Sequence, residues 1–279
     1  MAEDGDWRTT FRPDIPSAAR VYDYLLGGKD NYPADRAVAE SMIAQLPNVQ
    51  LAVQWNRAFL RRVVRYLIRE AGIRQIVDIG AGLPTVGNTH EIAQEADPSV
   101  RVVYVDHDPV VLTHARSMLH NVPNTAIIEQ DLLAPDEILA DPALRELIDF
   151  GEPTAFLLLS TLHFVADEDD PAGLIAALLD PFPSGSHVAI SHATPDAVPE
   201  VNDVERVFDE ATEQAHVRSR AAIAKLVAGM DILEPGLAWP PEWRPDPGEL
   251  VPANAAESYY CVVVARKPAL SVSFRRPRI

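Results

Sequence analysis

Three apolar runs, each closing on or beside an aspartate, constrain this chain more than anything else in it. The first, Gln75-Ile76-Val77-Asp78-Ile79, breaks into a glycine turn, Gly80-Ala81-Gly82-Leu83-Pro84-Thr85. The second is Arg101-Val102-Val103-Tyr104-Val105-Asp106 and the third Ala126-Ile127-Ile128-Glu129-Gln130-Asp131. Between them lie segments of helical spacing. Strands buried on both faces read as near-continuous apolar runs, and parallel neighbours need a helical crossover. The pattern predicts one half of a doubly wound, mostly parallel α/β sheet. In such sheets ligands lie beyond the carboxyl ends of the strands.

The alternation predicts strands over 75–79, 100–105, 126–130, 154–159 and 187–191. Helices are expected near 88–95, 109–119, 135–148 and 171–179. A long polar helix is expected over 199–228, then short strands over 230–233 and 259–265. Five prolines from Pro240 to Pro252 make the stretch after Trp239 a rigid loop. Trp239 and Trp243 either roof an apolar acceptor there or anchor the loop on the core. Ahead of the first strand, helices are expected over 17–26, with Ser17 as the cap, over 34–46, and from Val49 or Asn56 to Gly72. The expected organisation is a helical cap over 1–72, a ligand-binding domain over 73–268 and a loose basic tail over 269–279.

The glycine turn sets the ligand class. A dinucleotide fold wants G-x-G-x-x-G. Here Thr85 takes the third glycine position and Pro84 precedes it. Asp78 beside the turn repels a pyrophosphate but accepts from an ammonium group or orients the turn's N–H groups. The ligand suggested is an amino acid joined to a nucleoside. Asp106 stands where an acid receives both ribose hydroxyls. Asp131 is placed to accept from an exocyclic amine such as adenine's, with Leu132 on the purine ring. Either acid alone is equally readable as a cap of the following helix.

These residues resemble the class I S-adenosylmethionine-dependent methyltransferases. They resemble more closely an actinobacterial S-adenosyl methyltransferase family, through four stretches: Ser17 to Tyr32, Asp78 to Thr85, Val103 to Pro109, and Leu162-His163-Phe164-Val165. The likeness spans about residues 12–268. It implies a seven-stranded Rossmann-like sheet with an antiparallel last strand, S-adenosylmethionine as cofactor, and N-terminal helices over the cofactor cleft. The cofactor-binding candidates are Asp78, Gly80, Ala81, Gly82, Asp106, His107, Asp131, Leu132 and Ser160. Tyr22, Gly28, Asn31 and Tyr32 are the cap and acceptor candidates, against a purely structural turn. His107 either packs on adenine or faces solvent.

His163, after the fourth strand, is a candidate general base, with His192 after the fifth as a second. Both have structural readings as well. His90, Glu91 and His187 lack metal-ligand spacing, so no metal is expected. The net charge of −17 disfavours a nucleic-acid partner. A basic helix face (Arg57, Arg61, Arg62, Arg65, Arg69) and the tail (Arg275, Arg276, Arg278) read as solvated. One cysteine, Cys261, an acidic N-terminus and no long apolar run point to a cytoplasmic protein with no membrane partner. The expected activity is methyl transfer to an O, N or C nucleophile of a small-molecule acceptor. The alternatives are a cofactor-binding sensor or partner subunit without methyl transfer, and an NAD-dependent oxidoreductase. A homo-oligomer is compatible with all of them.

Overall fold

The computed structural model describes residues 12–84, 87–208 and 211–269. Thr85, the first eleven residues and the basic tail from 270 lie outside the described residues.

Seven strands form one sheet: β1 Gln75–Ile79, β2 Arg101–Asp106, β3 Thr125–Glu129, β4 Ala155–Leu159, β5 His187–Ala193, β6 Asp231–Ile232 and β7 Tyr260–Arg266. Their order is β3-β2-β1-β4-β5-β7-β6. The first five run parallel, and β7 runs antiparallel to both β5 and β6. The helices are α1 Ala18–Leu25, α2 Pro33–Gln45, α3 Val49–Arg69, α4 Thr89–Ala96, α5 Pro109–Met118, α6 Pro135–Ala140, α7 Pro142–Leu147, α8 Pro171–Leu179, α9 Asp203–Val207 and α10 Arg220–Leu226.

Strand residues alternate between two buried layers, as the pleat requires. Val77, Ile79, Val103 and Val105 join α6, α7, α8 and α10 through Ile138, Leu144, Leu178 and Ile223. Ile76, Val102 and Tyr104 join α3 and α4 through Phe59, Val63, Leu67 and Ile92. A third cluster lies above the carboxyl edge, where Val21, Leu25, Met42 and Val53 meet Val201, Phe208 and Ala215. Helix α3 takes part in both, so it ties the N-terminal helices to the sheet.

Two expected helices are broken. The 135–148 stretch splits because Pro142 has no N–H to continue α6; Asp141 instead caps α7 by accepting from the Ala143 N–H. Among its described residues, the 199–228 stretch holds a 3-10 turn at Pro199–Asn202, then α9 and α10. Between them the backbone donates elsewhere: Thr212 N–H to Pro16 O, His216 N–H to His163 O, and Val217 N–H to the Glu205 carboxylate. These tertiary bonds replace the i to i−4 ladder.

The basic face of α3 is not simply solvated. The buried Arg62 guanidinium donates to Trp243 O at 3.0 Å and pairs with Glu249 at 2.8 Å, while Arg65 pairs with Asp246. Together they hold the proline-rich loop. Trp243 is wholly buried edge-on to Phe59, and Trp239 lies under the Arg220 guanidinium. Both tryptophans anchor the loop. Among the described residues, no helix is long and apolar enough to cross a membrane.

Candidate active site

A cleft of about 420 Å³ opens along the carboxyl edge of the sheet, under α1, α2 and α3. It spans the boundary between β1 and β4, where the strand order reverses direction. The two sides of that boundary differ in chemistry.

On the β1–β3 side lie the glycine turn and the strand-ending acids. Gly80 has φ +67°, and a Cβ there would stand 2.5 Å from the Thr161 hydroxyl oxygen, so both conformation and space demand glycine. Gly82, at φ +65°, has nothing within 4 Å of an added Cβ; its bare side faces the cleft. The turn's N–H groups are committed to β2. Gly80 and Ala81 donate to Val105 O at 2.9 and 3.3 Å, and Gly82 donates to Asp106 Oδ2 at 2.9 Å. A pyrophosphate would need such N–H groups free. The turn is therefore built for close approach of an uncharged portion of a ligand.

Asp106 also accepts from the Asp108 N–H at 2.9 Å through Oδ1. Each of its oxygens has a further lone pair to offer, which suits a vicinal diol. Burial pushes its carboxyl up, and the two backbone donors oppose that rise. Asp78, buried and facing the cleft, accepts from the Thr89 hydroxyl at 2.6 Å. Burial pushes it up to about 6, against the Thr89 bond and the charge of Arg57. It does not orient the turn's N–H groups, which bond to Val105 and Asp106 instead. Asp131 and Leu132 stand at the same end of the cleft; Asp131 Oδ1 accepts from the Leu133 N–H in the turn before α6, whose cap position is Ala134, so this acid does not cap the helix. His107 bonds Glu213 at 3.4 Å, and that partner raises the imidazole to about 9. It therefore carries charge at neutral pH and bridges β2 to the 199–217 segment.

On the β4–β5–β7 side the polar groups at the strand ends are chiefly hydroxyl and amide. Ser160 ends β4 in the left-handed region, φ +56°. Its hydroxyl accepts from Asn56 Nδ2 at 2.7 Å, and the same amide donates to the Tyr22 hydroxyl at 3.0 Å. Antiparallel β7 brings Tyr260 to this edge beside them. His163 lines the cleft, and burial, His192 and Arg218 hold it well below its ordinary value, so it is neutral. Two buried atoms here have no protein partner: Asn56 Oδ1 and His163 Nδ1.

Several expected site residues are elsewhere. His192 does not line the cleft: it is fully buried, bonds Ala193 O through Nδ1, and accepts from Arg218 through Nε2 at 3.0 Å. Gly28, Asn31 and Tyr32 do not line it either. The buried Asp23 carboxylate accepts from the Asp30 N–H and Asn31 Nδ2, and Tyr32 N–H donates to Asp35. That turn is structural; Tyr22 alone of the four reaches the cleft. Ser17 does not cap α1 through its side chain; its hydroxyl donates to Asp108 Oδ2 at 2.6 Å, fastening α1 to the end of β2. A Cβ at position 28 would lie 1.9 Å from Asp23 Oδ1, in a carboxylate held in place through the two bonds to its Oδ2. Gly28→Ala should therefore destabilise the fold by about 1–3 kcal/mol, read by denaturant unfolding. A midpoint unchanged from wild type would refute the structural role.

Asn56, Arg57, Glu213 and Tyr260 line the cleft without a local sequence signal that named them, apart from Asn56, a polar residue on the apolar stripe of α3. Among the described residues, no group of three His, Cys, Asp or Glu side chains is arranged to hold a metal ion.

None of the curated proteins matches this chain. Among solved structures, a DUF574-family protein from Streptomyces avermitilis is 40% identical over 92% of this chain and 100% of its own, with a TM-score of 0.88. A Thermobifida fusca protein, provisionally assigned as a methyltransferase, is 37% identical over 96% and 100%, with a TM-score of 0.87. A S-adenosylmethionine-dependent methyltransferase from Anabaena variabilis, 14% identical over 76% and 86% with a TM-score of 0.51, shares the fold. The profile of the S-adenosyl methyltransferase family matches residues 7–268, and this chain belongs to that family.

Proposed function

We propose that this methyltransferase holds S-adenosylmethionine in the β1–β3 half of the cleft and methylates an O, N or C nucleophile of a small molecule in the β4–β5–β7 half. The observation that carries the reading is the glycine turn. It offers open space beside Gly82 and no N–H group among Gly80, Ala81 and Gly82 for a phosphate. That fits a nucleoside joined to an amino acid and not a dinucleotide.

Bound S-adenosylmethionine supplies an electrophilic methyl group on a sulfonium. Asp106 would accept the ribose hydroxyls, and Asp131 with Leu132 would face the adenine. Asp78 would accept from the methionine ammonium, and Arg57, which lines the cleft and whose charge acts on Asp78, would face the carboxylate. The protein's contribution is chiefly to align two partners and exclude water. His163 is neutral, so it can hydrogen-bond the incoming nucleophile as donor or acceptor, according to its tautomer. Taking the whole proton would create an imidazolium beside Arg218, which the site disfavours. The net charge of −17 supports a small acceptor over a nucleic acid.

Calorimetric titration with S-adenosylmethionine and, separately, NAD tests the cofactor site. Micromolar binding of the first alone is expected; binding of NAD instead would overturn the reading of the turn. The pH dependence tests Asp78. With its carboxyl at about 6, it is ionised at pH 7 and largely neutral at pH 5. Only the ionised form attracts an ammonium, so affinity should fall about tenfold from pH 7 to pH 5. Asp78→Asn should remove that dependence; an unchanged pH profile in the variant would exclude Asp78 as its source.

A further inference from the structure

We propose that the methyl acceptor is an uncharged, largely apolar small molecule whose one polar head is a hydroxyl or comparable hydrogen-bonding group. This inference rests on placing the cofactor in the β1–β3 half, which leaves the other half for the acceptor.

The walls of that half are apolar. Leu25, Met42, Val49, Phe164, Val201 and Phe208 line it, from α1, α2, α3, the turn after β4 and the segment after β5. The charged side chains near it are engaged elsewhere. Asp23 binds the Asp30 N–H and Asn31, and Glu213 binds His107 and the Ala18 N–H. Arg57 donates to Gly87 O and stands on the Asp78 side. A charged acceptor entering this space would leave its hydration behind and, among the described residues, meet no side chain of opposite sign set to receive it.

The polar end is equally specific. Asn56 spends both donor contacts on Tyr22 and Ser160, and its Oδ1 is left buried without a partner. His163 Nδ1 is also buried without one, on the same lining. Buried polar atoms are nearly always paired in folded proteins, so two orphans on residues that line one cavity are the groups a ligand's polar head can pair. Asn56 Oδ1 can only accept, so the head group must donate. A neutral imidazole bonds through Nδ1 in either sense, according to its tautomer. A hydroxyl serves both atoms, and an ion serves neither well.

The test uses the protein saturated with S-adenosylhomocysteine, so that no turnover occurs. Three probes of one shape are titrated by calorimetry: biphenyl-4-ol, biphenyl-4-carboxylate and 4-phenylbenzylammonium, with biphenyl as the headless control. The alcohol is expected to bind at least about tenfold more tightly than either ion and than biphenyl. In His163→Phe the advantage over biphenyl should shrink severalfold while S-adenosylhomocysteine binding is unchanged. An ion that binds as tightly as the alcohol, an alcohol no better than biphenyl, or no binding by any probe would overturn the proposal. The wild-type comparison decides it even if the variant does not fold. Failure of S-adenosylhomocysteine to bind at all would instead strike the cofactor placement, and is read first.

Discussion

Asp106→Ala is expected to weaken S-adenosylmethionine binding by about a hundredfold or more. A charge-assisted hydrogen bond is worth about 1.5–3 kcal/mol, so losing two to the ribose costs about 3 kcal/mol or more. The substitution acts twice, because the same carboxylate fastens the Gly82 and Asp108 N–H groups. Without it the turn loses the bond that shapes its second glycine. Asp106→Asn separates the effects: an amide oxygen keeps one acceptor but cannot serve both N–H groups and a diol. It should bind more weakly than wild type and more tightly than Asp106→Ala. Calorimetry on the three proteins checks this. If Asp106→Ala bound within threefold of wild type, the ribose would have to sit elsewhere.

Arg218→Met is expected to destabilise the protein by about 3–5 kcal/mol. The guanidinium donates to Leu162 O, Val165 O and His192 Nε2 at 2.8, 2.7 and 3.0 Å, and to Asp167. The Asp167 side chain is 83% exposed, so that ion pair contributes little. The weight lies with the buried acceptors, each of which costs about 1–3 kcal/mol when left unpaired. Melting temperature should fall by roughly 10 °C, taking about 2–4 °C per kcal/mol in a chain of this size. Binding of S-adenosylhomocysteine at low temperature should persist, because Arg218 touches none of the β1–β3 acids. A loss under 1 kcal/mol would mean that water replaces the guanidinium.

The sheet was legible because most of its strands, β1, β2, β4 and β5 among them, are buried on both faces. Such strands show as apolar runs, and β1 through β5 begin within one residue of where those runs place them. Asp78, Asp106 and Asp131 were legible for a different reason: strand ends converge on one edge, so acids at those ends must share it. The long helix over 199–228 was misjudged because composition permits it, while Pro16, His163 and Glu205 claim its N–H groups from a distance. Gly28, Asn31 and Tyr32 looked functional because polar residues beside paired glycines fit a binding loop equally well. Only the position of the Asp23 carboxylate decides between the two. Tyr260 and Arg218 were hidden because their partners lie 26 to 100 or more residues away, beyond any local period.

The place of β7 inside the sheet has a consequence for synthesis. Residues 18–160 contain every strand end and helix proposed to hold the cofactor, and they leave the ribosome first. The other half waits for β7, which pairs with all seven residues of β5 and carries Tyr260 to the cleft. Non-local strand pairing of this kind is slow to form. The acceptor half is therefore complete only when the last strand has been made. Until β7 docks, β5 has an open edge that can pair with the wrong partner, so the last strand is where a chaperone or a truncation would most change the yield of folded enzyme.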